Sequence, residues 1–547
     1  MRCGIRTTTA ILVSLAVMLQ GCEPFQRRDQ PADMVQPAEF SYFTGGIGEP
    51  GDPKYSNETE IGKLVQELTG VNIRYVRHNG DLKSQIGVMM ASGDYPDILV
   101  GSAGFTGDFI NAGALIPLDE LVETHAPNLR RMYDEVWDRL KHPADGRIYH
   151  LPSLIPQGEA PAKTTQSGFG IQRAVLEEAG YPRQETIGDY FRVLKQYKER
   201  HPKLYGYDTA GYVILHDGWV RTLNWANEML NGIMNDGKAE VDPRTLEVTI
   251  KQTDDKLHDT LQVFNQAYLD GLIDPQSFLY DERDYNERLA TGSVLGGWMM
   301  PEDVKQSLKR QKKEERIFYH LPLRLHEQSE RAPEPIMIPS GEGVGISVKA
   351  KDPVRIVRFW DWMCRIEHSK LLYWGVEGRH YAVNAEGRMI RTAEQLVKFA
   401  DPQYRKQVGL EYWHFGWPSF EGHYPDGNAW DPSYQPEVRE AGYDVWDRKF
   451  MAAYGLSHPA ELNETDDRPL LPHFPLWTMN IEFGTKPKVV EARIEEVADR
   501  WYPLLVMAPA GQFEAVWEQY LEQFRTIDLD AYKKRLEQEI RYRNTHW

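Results

Sequence analysis

Glu39-Phe-Ser-Tyr-Phe-Thr44 places Phe40, Tyr42 and Thr44 on one face and Phe43 on the other, the two-residue period of a strand. Ile61, Leu64, Val65 and Leu68 then recur at helical spacing up to Gly70, and Val71, Ile73 and Tyr75 alternate again as a strand. Ile86, Met89 and Met90 mark a second helix, and Asp97-Ile-Leu-Val100 a third short strand. Strands alternating with helices predict a mostly parallel sheet covered on both faces. Such sheets bind ligands beyond the carboxyl ends of their strands. The loops after Thr44 and after Val100 are therefore the first places to look for a site.

The chain beyond this unit is mainly helical. Thr186-Ile-Gly-Asp189 reads as a capped start for a helix carrying Tyr190, Phe191, Leu194 and Tyr197. Leu257, Leu261, Phe264 and Tyr268 follow helical spacing, with Gly271 as the stop. Residues 301–316 read as a solvated Lys- and Glu-rich helix. Phe513, Val516, Trp517, Tyr520, Leu521 and Phe524, then Tyr532, Leu536 and Ile540, form stripes expected to face a core. No internal repeat or low-complexity tract interrupts the 547 residues.

The N-terminus has a basic start, Arg2 and Arg6, followed by the apolar run Ala10 to Leu19. That run is too short for a helix of about 20 residues across a bilayer and reads as a signal peptide. Leu19-Gln20-Gly21-Cys22 resembles the bacterial lipobox, which implies cleavage before Cys22 and a lipid on its sulfur, with membrane anchoring through the acyl chains. Removing residues 1–21 takes away two of the 63 basic residues and none of the 81 acids, so the net charge of −18 becomes −20. Cys3 leaves with the leader and Cys22 is lipidated. Cys364 remains, expected as a buried small hydrophobe behind the helix start Asp352-Pro353.

With 41% hydrophobic and 26% charged residues the chain can bury real cores, and the acidic balance argues against a nucleic-acid binder. Three cysteines exclude a disulfide scaffold. No HExxH, GxSxG, Walker loop or CxxC pair is present. Gly341-Glu-Gly-Val-Gly345 is glycine-rich, but Ile346-Ser-Val348 after it reads as a strand, not the helix of a nucleotide cradle. The unusual supply is aromatic: 15 Trp and 28 Tyr. Trp298 closes a Gly-rich stretch, residues 373–381 read Tyr-Trp-Gly-Val-Glu-Gly-Arg-His-Tyr, and residues 411–420 read Glu-Tyr-Trp-His-Phe-Gly-Trp-Pro-Ser-Phe. Flat rings suit the apolar face of a pyranose, and interleaved Glu and Arg suit its hydroxyls.

Ala91-Ser-Gly-Asp-Tyr-Pro-Asp-Ile98, Gly113-Ala-Leu-Ile-Pro-Leu-Asp-Glu-Leu121, Asp145-Gly-Arg-Ile-Tyr-His-Leu-Pro152, Tyr268-Leu-Asp-Gly-Leu-Ile-Asp-Pro275 and Gly375-Val-Glu-Gly-Arg-His-Tyr381 come in a set order. Together with the lipobox they resemble the extracellular solute-binding lipoproteins of bacterial ABC importers, in particular the large carbohydrate-binding group that includes the LplA-like and alginate-binding proteins. The resemblance implies a type II periplasmic-binding-protein-like α/β fold: two lobes, each a mostly parallel sheet flanked by helices, with a ligand cleft between them. The division it implies is a signal peptide over 1–21, a tether over 22–38, a first lobe over 39–160 with a return segment over 335–400, and a second lobe over 161–334 completed by 401–547.

The same resemblance implies ligand contacts from Trp298, a sugar-stacking residue, and from Glu377, Arg379 and Tyr381; the aromatic-rich stretches add Trp374, Trp413 and Trp417 as candidates, with Trp219 a further one. The resemblance also places the loop from Gly101 to Asp108 at the first lobe's ligand side. Larger members carry an acidic calcium loop; the equivalent here, His201-Pro-Lys-Leu-Tyr-Gly-Tyr-Asp208, keeps one hard oxygen ligand where several are needed, so no metal and no cofactor are expected. The implied function is capture of an oligosaccharide and delivery to a membrane permease, by a monomer on the outer face of the cell membrane that binds no nucleic acid and breaks no bond. A surface-anchored glycoside hydrolase or lyase, and a peptide receptor of the same fold, are the rival readings.

Overall fold

The computed structural model describes residues 36–45, 52–77, 82–101, 105–157, 167–215, 222–234, 237–329, 343–414, 416–463, 471–482 and 484–547. The leader, Cys22 and most of the tether lie outside them, as does Trp219. Among the described residues no helix is long and apolar enough to cross a membrane.

Strand β1 (Ala38–Phe43) pairs in parallel with β2 (Val71–Val76), and Tyr42 stands directly beside Tyr75 in that register. Between them runs helix α1 (Glu60–Thr69), which begins where the Thr59 side chain accepts the Gly62 N–H and ends at Gly70, left-handed at φ 72°. β3 (Ile98–Gly101) pairs in parallel with the other edge of β1. Two antiparallel neighbours complete this first sheet: the strand Gly343–Ile346 lies against β3 and, on its far side, against Leu151–Pro152. Of the glycine-rich stretch expected ahead of a strand, residues 343–345 thus belong to the strand itself. A Cβ on Gly343 would overlap the backbone of Leu151 and Pro152, so glycine lets the returning chain fit the slot.

The second sheet runs in the order Phe318–Leu321, Ser167–Gln172, Val294–Met299, Ala210–Tyr212, with two antiparallel pairings and one parallel. Both sheets are therefore mixed, where β/α alternation predicted mostly parallel ones. In the first sheet the returning strand Gly343–Ile346 runs against the other four, and in the second Ser167–Gln172 runs against the other three.

Two large cores follow the two sheets. The first gathers Phe40, Ile73, Val100, Val344, Trp360 and Trp417; the second gathers Phe169, Tyr212, Leu295, Ile494, Trp517 and Tyr520. The stripes on Phe513–Phe524 and Leu529–His546 face the second core as expected, and Cys364 packs against the first with its thiol pushed up by burial. Beyond the expected return segment of 335–400, residues Val408, Leu410, Trp413, Tyr424, Trp430 and Val438 still belong to the first core. Phe450 is in the second. The crossing back is secured by Arg173, whose buried guanidinium donates to Asp444 at 2.6 Å and Asp447 at 2.7 Å. On one flank the lobes touch directly: the amides of Asn111 and Asn480 exchange hydrogen bonds at 3.0 and 3.1 Å.

Candidate functional site

A cavity of about 730 Å³ opens where the carboxyl ends of β1 and β2 face the second lobe. Its floor is aromatic. Tyr42 and Tyr75 meet edge to face with centroids 6.1 Å apart, and Tyr75 and Tyr412 lie 5.9 Å apart at a tilt of 44°. Thr44, at the end of β1, lines it as the strand-end rule predicts. Helix Glu302–Arg310 of the second lobe supplies the far wall with Asp303 and Arg310. That helix is shorter than the 301–316 expected and buries Val304 and Leu308, while two of its exposed charges belong to the cavity.

The near wall is charged and tightly paired. Asp52, with its carboxylate 7% exposed, sits 3.0 Å from Lys406 Nζ and accepts a hydrogen bond from the Tyr412 hydroxyl at 3.0 Å. Burial first, and the Asp52 charge second, hold the Tyr412 phenol well above its ordinary value, so it stays a donor. Arg405 donates to Glu411 at 2.8 Å. Both cations come from the short helix Pro402–Val408, which is started by the Asp401 side chain and Pro402 and stopped by Gly409 at φ 78°.

The expected tryptophans stand behind this floor or away from it. Trp417 stacks on Tyr42 at 4.3 Å and donates from its indole to the Tyr412 carbonyl at 3.0 Å, so it braces two of the three tyrosines. Trp413 lies 5.8 Å from Trp417 in the same core. Trp374 donates to the Ala429 carbonyl at 3.0 Å and meets Tyr381 edge on. Trp298 ends a strand of the second sheet, 3% exposed, between Phe169 and Trp225, with its indole N–H lacking an acceptor among the described residues. Each fills core volume, the place where an indole buries most area. None of the four lines the cavity.

Glu377 and Arg379 are exposed, and Arg379 pairs with Glu60 at 2.8 Å at the start of α1, outside the cavity. Gly375, at φ 86°, lies so close to the buried His380 ring that a Cβ would overlap it, and the Val376 N–H donates to that ring at 2.9 Å. The GVEGRHY stretch is thus a packed turn. Of the loop from Gly101 to Asp108, residues 102–104 lie outside the described residues.

Sequence reasoning passed over Tyr75, Arg77, Asp303, Arg310 and Tyr412 as site residues. For Tyr75 a signal existed, since it ends a strand beside Tyr42. Tyr412 lies in the aromatic stretch 411–420, which was a signal too, whereas nothing local marks Arg77, Asp303 and Arg310; the fold brings the five together from three separate segments. At the equivalent of the calcium loop, Lys203–Leu204 and Tyr207–Asp208 form a tight hairpin and Asp208 pairs with Lys203 at 3.4 Å. One carboxylate already held by an ammonium does not fit a calcium site. Among the described residues no three or more His, Cys, Asp or Glu side chains gather as metal ligands would.

Known proteins share this architecture. A structure of the alginate-binding protein AlgQ2 without calcium ion superposes with a TM-score of 0.63 at 17% identity, covering 93% of this chain and 100% of that one. The Streptococcus pneumoniae ABC-transporter substrate binding protein FusA in complex with kestose gives 0.67 at 16% identity, with the same coverages. In sequence, the fructooligosaccharide ABC transporter substrate-binding protein FusA of Streptococcus pneumoniae serotype 4 is 24% identical over 259 residues, 44% of this chain and 46% of that relative. The matched region thus spans about half the length of that curated relative. The family model described as "Bacterial extracellular solute-binding protein" matches residues 55–365, more than half of the chain. With two lobes, a cavity at the strand ends and that match, the chain belongs to the bacterial extracellular solute-binding protein family.

Proposed function

We propose that the protein captures an oligosaccharide outside the cytoplasm and passes it to the permease of an ABC importer. The observation that carries this reading is the tyrosine-floored cavity between the lobes, with Tyr42, Tyr75 and Tyr412 offering ring faces and edges and paired charges along its wall. Rings of this kind stack on the C–H face of a sugar, and the surrounding donors and acceptors replace water at its hydroxyls. The oligosaccharide names carried by relatives of the same architecture support the substrate class. Binding draws the lobes together because contacts from both exist only in the closed form. The chain acts as a monomer, breaks no bond, and is held at the membrane by the lipid on Cys22.

Titration calorimetry and thermal shift against tri- to hexasaccharides test the reading. One or more sugars should bind with micromolar or tighter affinity and raise the melting temperature by mass action, with no new reducing ends after prolonged incubation. Turnover of the sugar would replace this function with that of a hydrolase. For the anchor, Cys22→Ala should abolish metabolic labelling with a fatty acid and release the protein from membranes.

A further inference from the structure

We propose that the oligosaccharide taken by this cavity is anionic, carrying uronate carboxylates or sulfate esters that Arg77 and Arg310 recognise from opposite lobes. The inference rests on the sugar-binding reading above and narrows its substrate class.

Every described carboxylate lining the cavity is already engaged. Asp52 is held by Lys406 and Tyr412, Glu411 by Arg405, and Asp303 faces Arg405 at 3.9 Å. The lining cations are four, so two guanidinium groups are left over. Arg77 follows β2 at the cavity edge. It spends one Nη2 donor on the Pro53 carbonyl at 2.8 Å, its guanidinium stands 5.4 Å from the centre of the Tyr75 ring, and its buried Nε has no hydrogen-bond partner among the described residues. Arg310, at the last turn of helix Glu302–Arg310, is exposed and has no carboxylate within ion-pair reach among the described residues.

In a chain of net charge −18, the described residues lining the cleft therefore set four cations against three carboxylates. Local charge decides here, because screening confines the field of distant acids to about 8–10 Å while low-dielectric walls concentrate the field inside the cleft. Guanidinium is also the group best matched to such anions. Its planar fork holds a carboxylate or sulfate through two parallel hydrogen bonds, whereas a neutral sugar hydroxyl uses one donor at a time. A buried, unfilled Nε donor is costly until such an acceptor arrives. Because the two arginines belong to different lobes, one anionic sugar chain spanning the cavity would gain its full set of contacts only on closure.

Calorimetry on the full chain in detergent micelles, with size-matched tetrasaccharides, tests this. The probes are maltotetraose, cellotetraose and chitotetraose as neutral arms, tetragalacturonate as the carboxylate arm and a chondroitin sulfate tetrasaccharide as the sulfate arm. We expect at least one anionic probe to bind tenfold or more tighter than every neutral one, with affinity falling between 50 and 500 mM salt. Arg310→Gln, an exposed change that should leave the melting temperature unaltered, is expected to weaken that probe at least tenfold, and Arg77→Gln likewise. Binding of a neutral probe with both anionic arms silent overturns this inference and leaves the oligosaccharide function standing. Silence of every arm overturns this inference, and the oligosaccharide reading is then decided by the wider tri- to hexasaccharide screen. Anionic binding that neither arginine substitution nor salt weakens removes the two residues from recognition and overturns the inference as well.

Discussion

Arg405 of the first lobe and Asp303 of the second stand 3.9 Å apart across the mouth of the cavity, while the same guanidinium holds Glu411 at 2.8 Å. The pair is partly solvated, with the Asp303 side chain 67% exposed, so its contribution to folding is small, below about 1 kcal/mol. Its effect should fall on lobe separation. Arg405→Glu sets three carboxylates against one another, and the ligand-free protein should open. Small-angle scattering should report a larger radius of gyration with little change in melting temperature; an unchanged radius removes this contact from control of closure.

Tyr412 combines a ring face toward the cavity with a hydroxyl that donates to Asp52. Tyr412→Ala is expected to weaken sugar binding tenfold or more, about 1.4 kcal/mol or greater, the scale of an aromatic anchor. Tyr412→Phe keeps the ring and loses only the O–H donor, so its penalty should be several-fold smaller. Equal affinities for the alanine variant and the parent would take the ring out of the site.

Trp298 should behave as a core residue. Packed between Phe169 and Trp225, it leaves a large cavity when truncated, and Trp298→Ala should cost about 3–5 kcal/mol in unfolding by denaturant. Trp298→Phe, which refills part of that volume, should bind sugar within about threefold of the parent. A full loss of binding by a well-folded Trp298→Phe protein would return the indole to direct contact with ligand.

Two histidines predict the acid limb of the stability curve. Burial lowers His368, stacked on Trp362 and bonded to its carbonyl at 2.8 Å, to about 4, and lowers His320 to about 3. Both therefore remain neutral in the fold at pH values where the unfolded chain takes up a proton near 6.5. The unfolded state binds more protons across that interval, so stability is full above pH 6.5 and falls as pH drops toward 3–4, by up to about 1.4 kcal/mol per unit for each ring. Melting temperature against pH should show this slope, and His320→Leu should flatten it.

The first sheet was readable because its signals are local. Alternation in residues 39–44 and 71–75, the helical spacing from Ile61 to Leu68 and the Gly70 stop each depend on a few adjacent residues, and the strand-end rule pointed to the loop after Thr44. The candidate cavity was not, because Asp52, Arg77, Arg310 and Tyr412 line it only when distant segments meet. Tryptophan is ambiguous for a physical reason: an indole suited to stack on sugar is equally suited to fill a core, and glycine neighbours that suggest an open loop also permit tight packing, as Gly375 does beside His380. Trp417 lies between these cases, one layer below the surface whose tyrosines it supports.

The strand Gly343–Ile346 fills the space between β3 and Leu151–Pro152, although the chain between Pro152 and Gly343 builds much of the other lobe. The order of assembly follows from this. As the polypeptide emerges amino end first, four strands of the first sheet exist early, but the slot between β3 and the edge strand Leu151–Pro152 stays unfilled until residue 346 is made. The two halves cannot mature one after the other, and the pairing that completes the sheet is among the most distant in sequence, a type of contact that slows folding. A sheet that cannot close until its return strand exists is expected to fold slowly, with its completion tied to the synthesis of the other lobe.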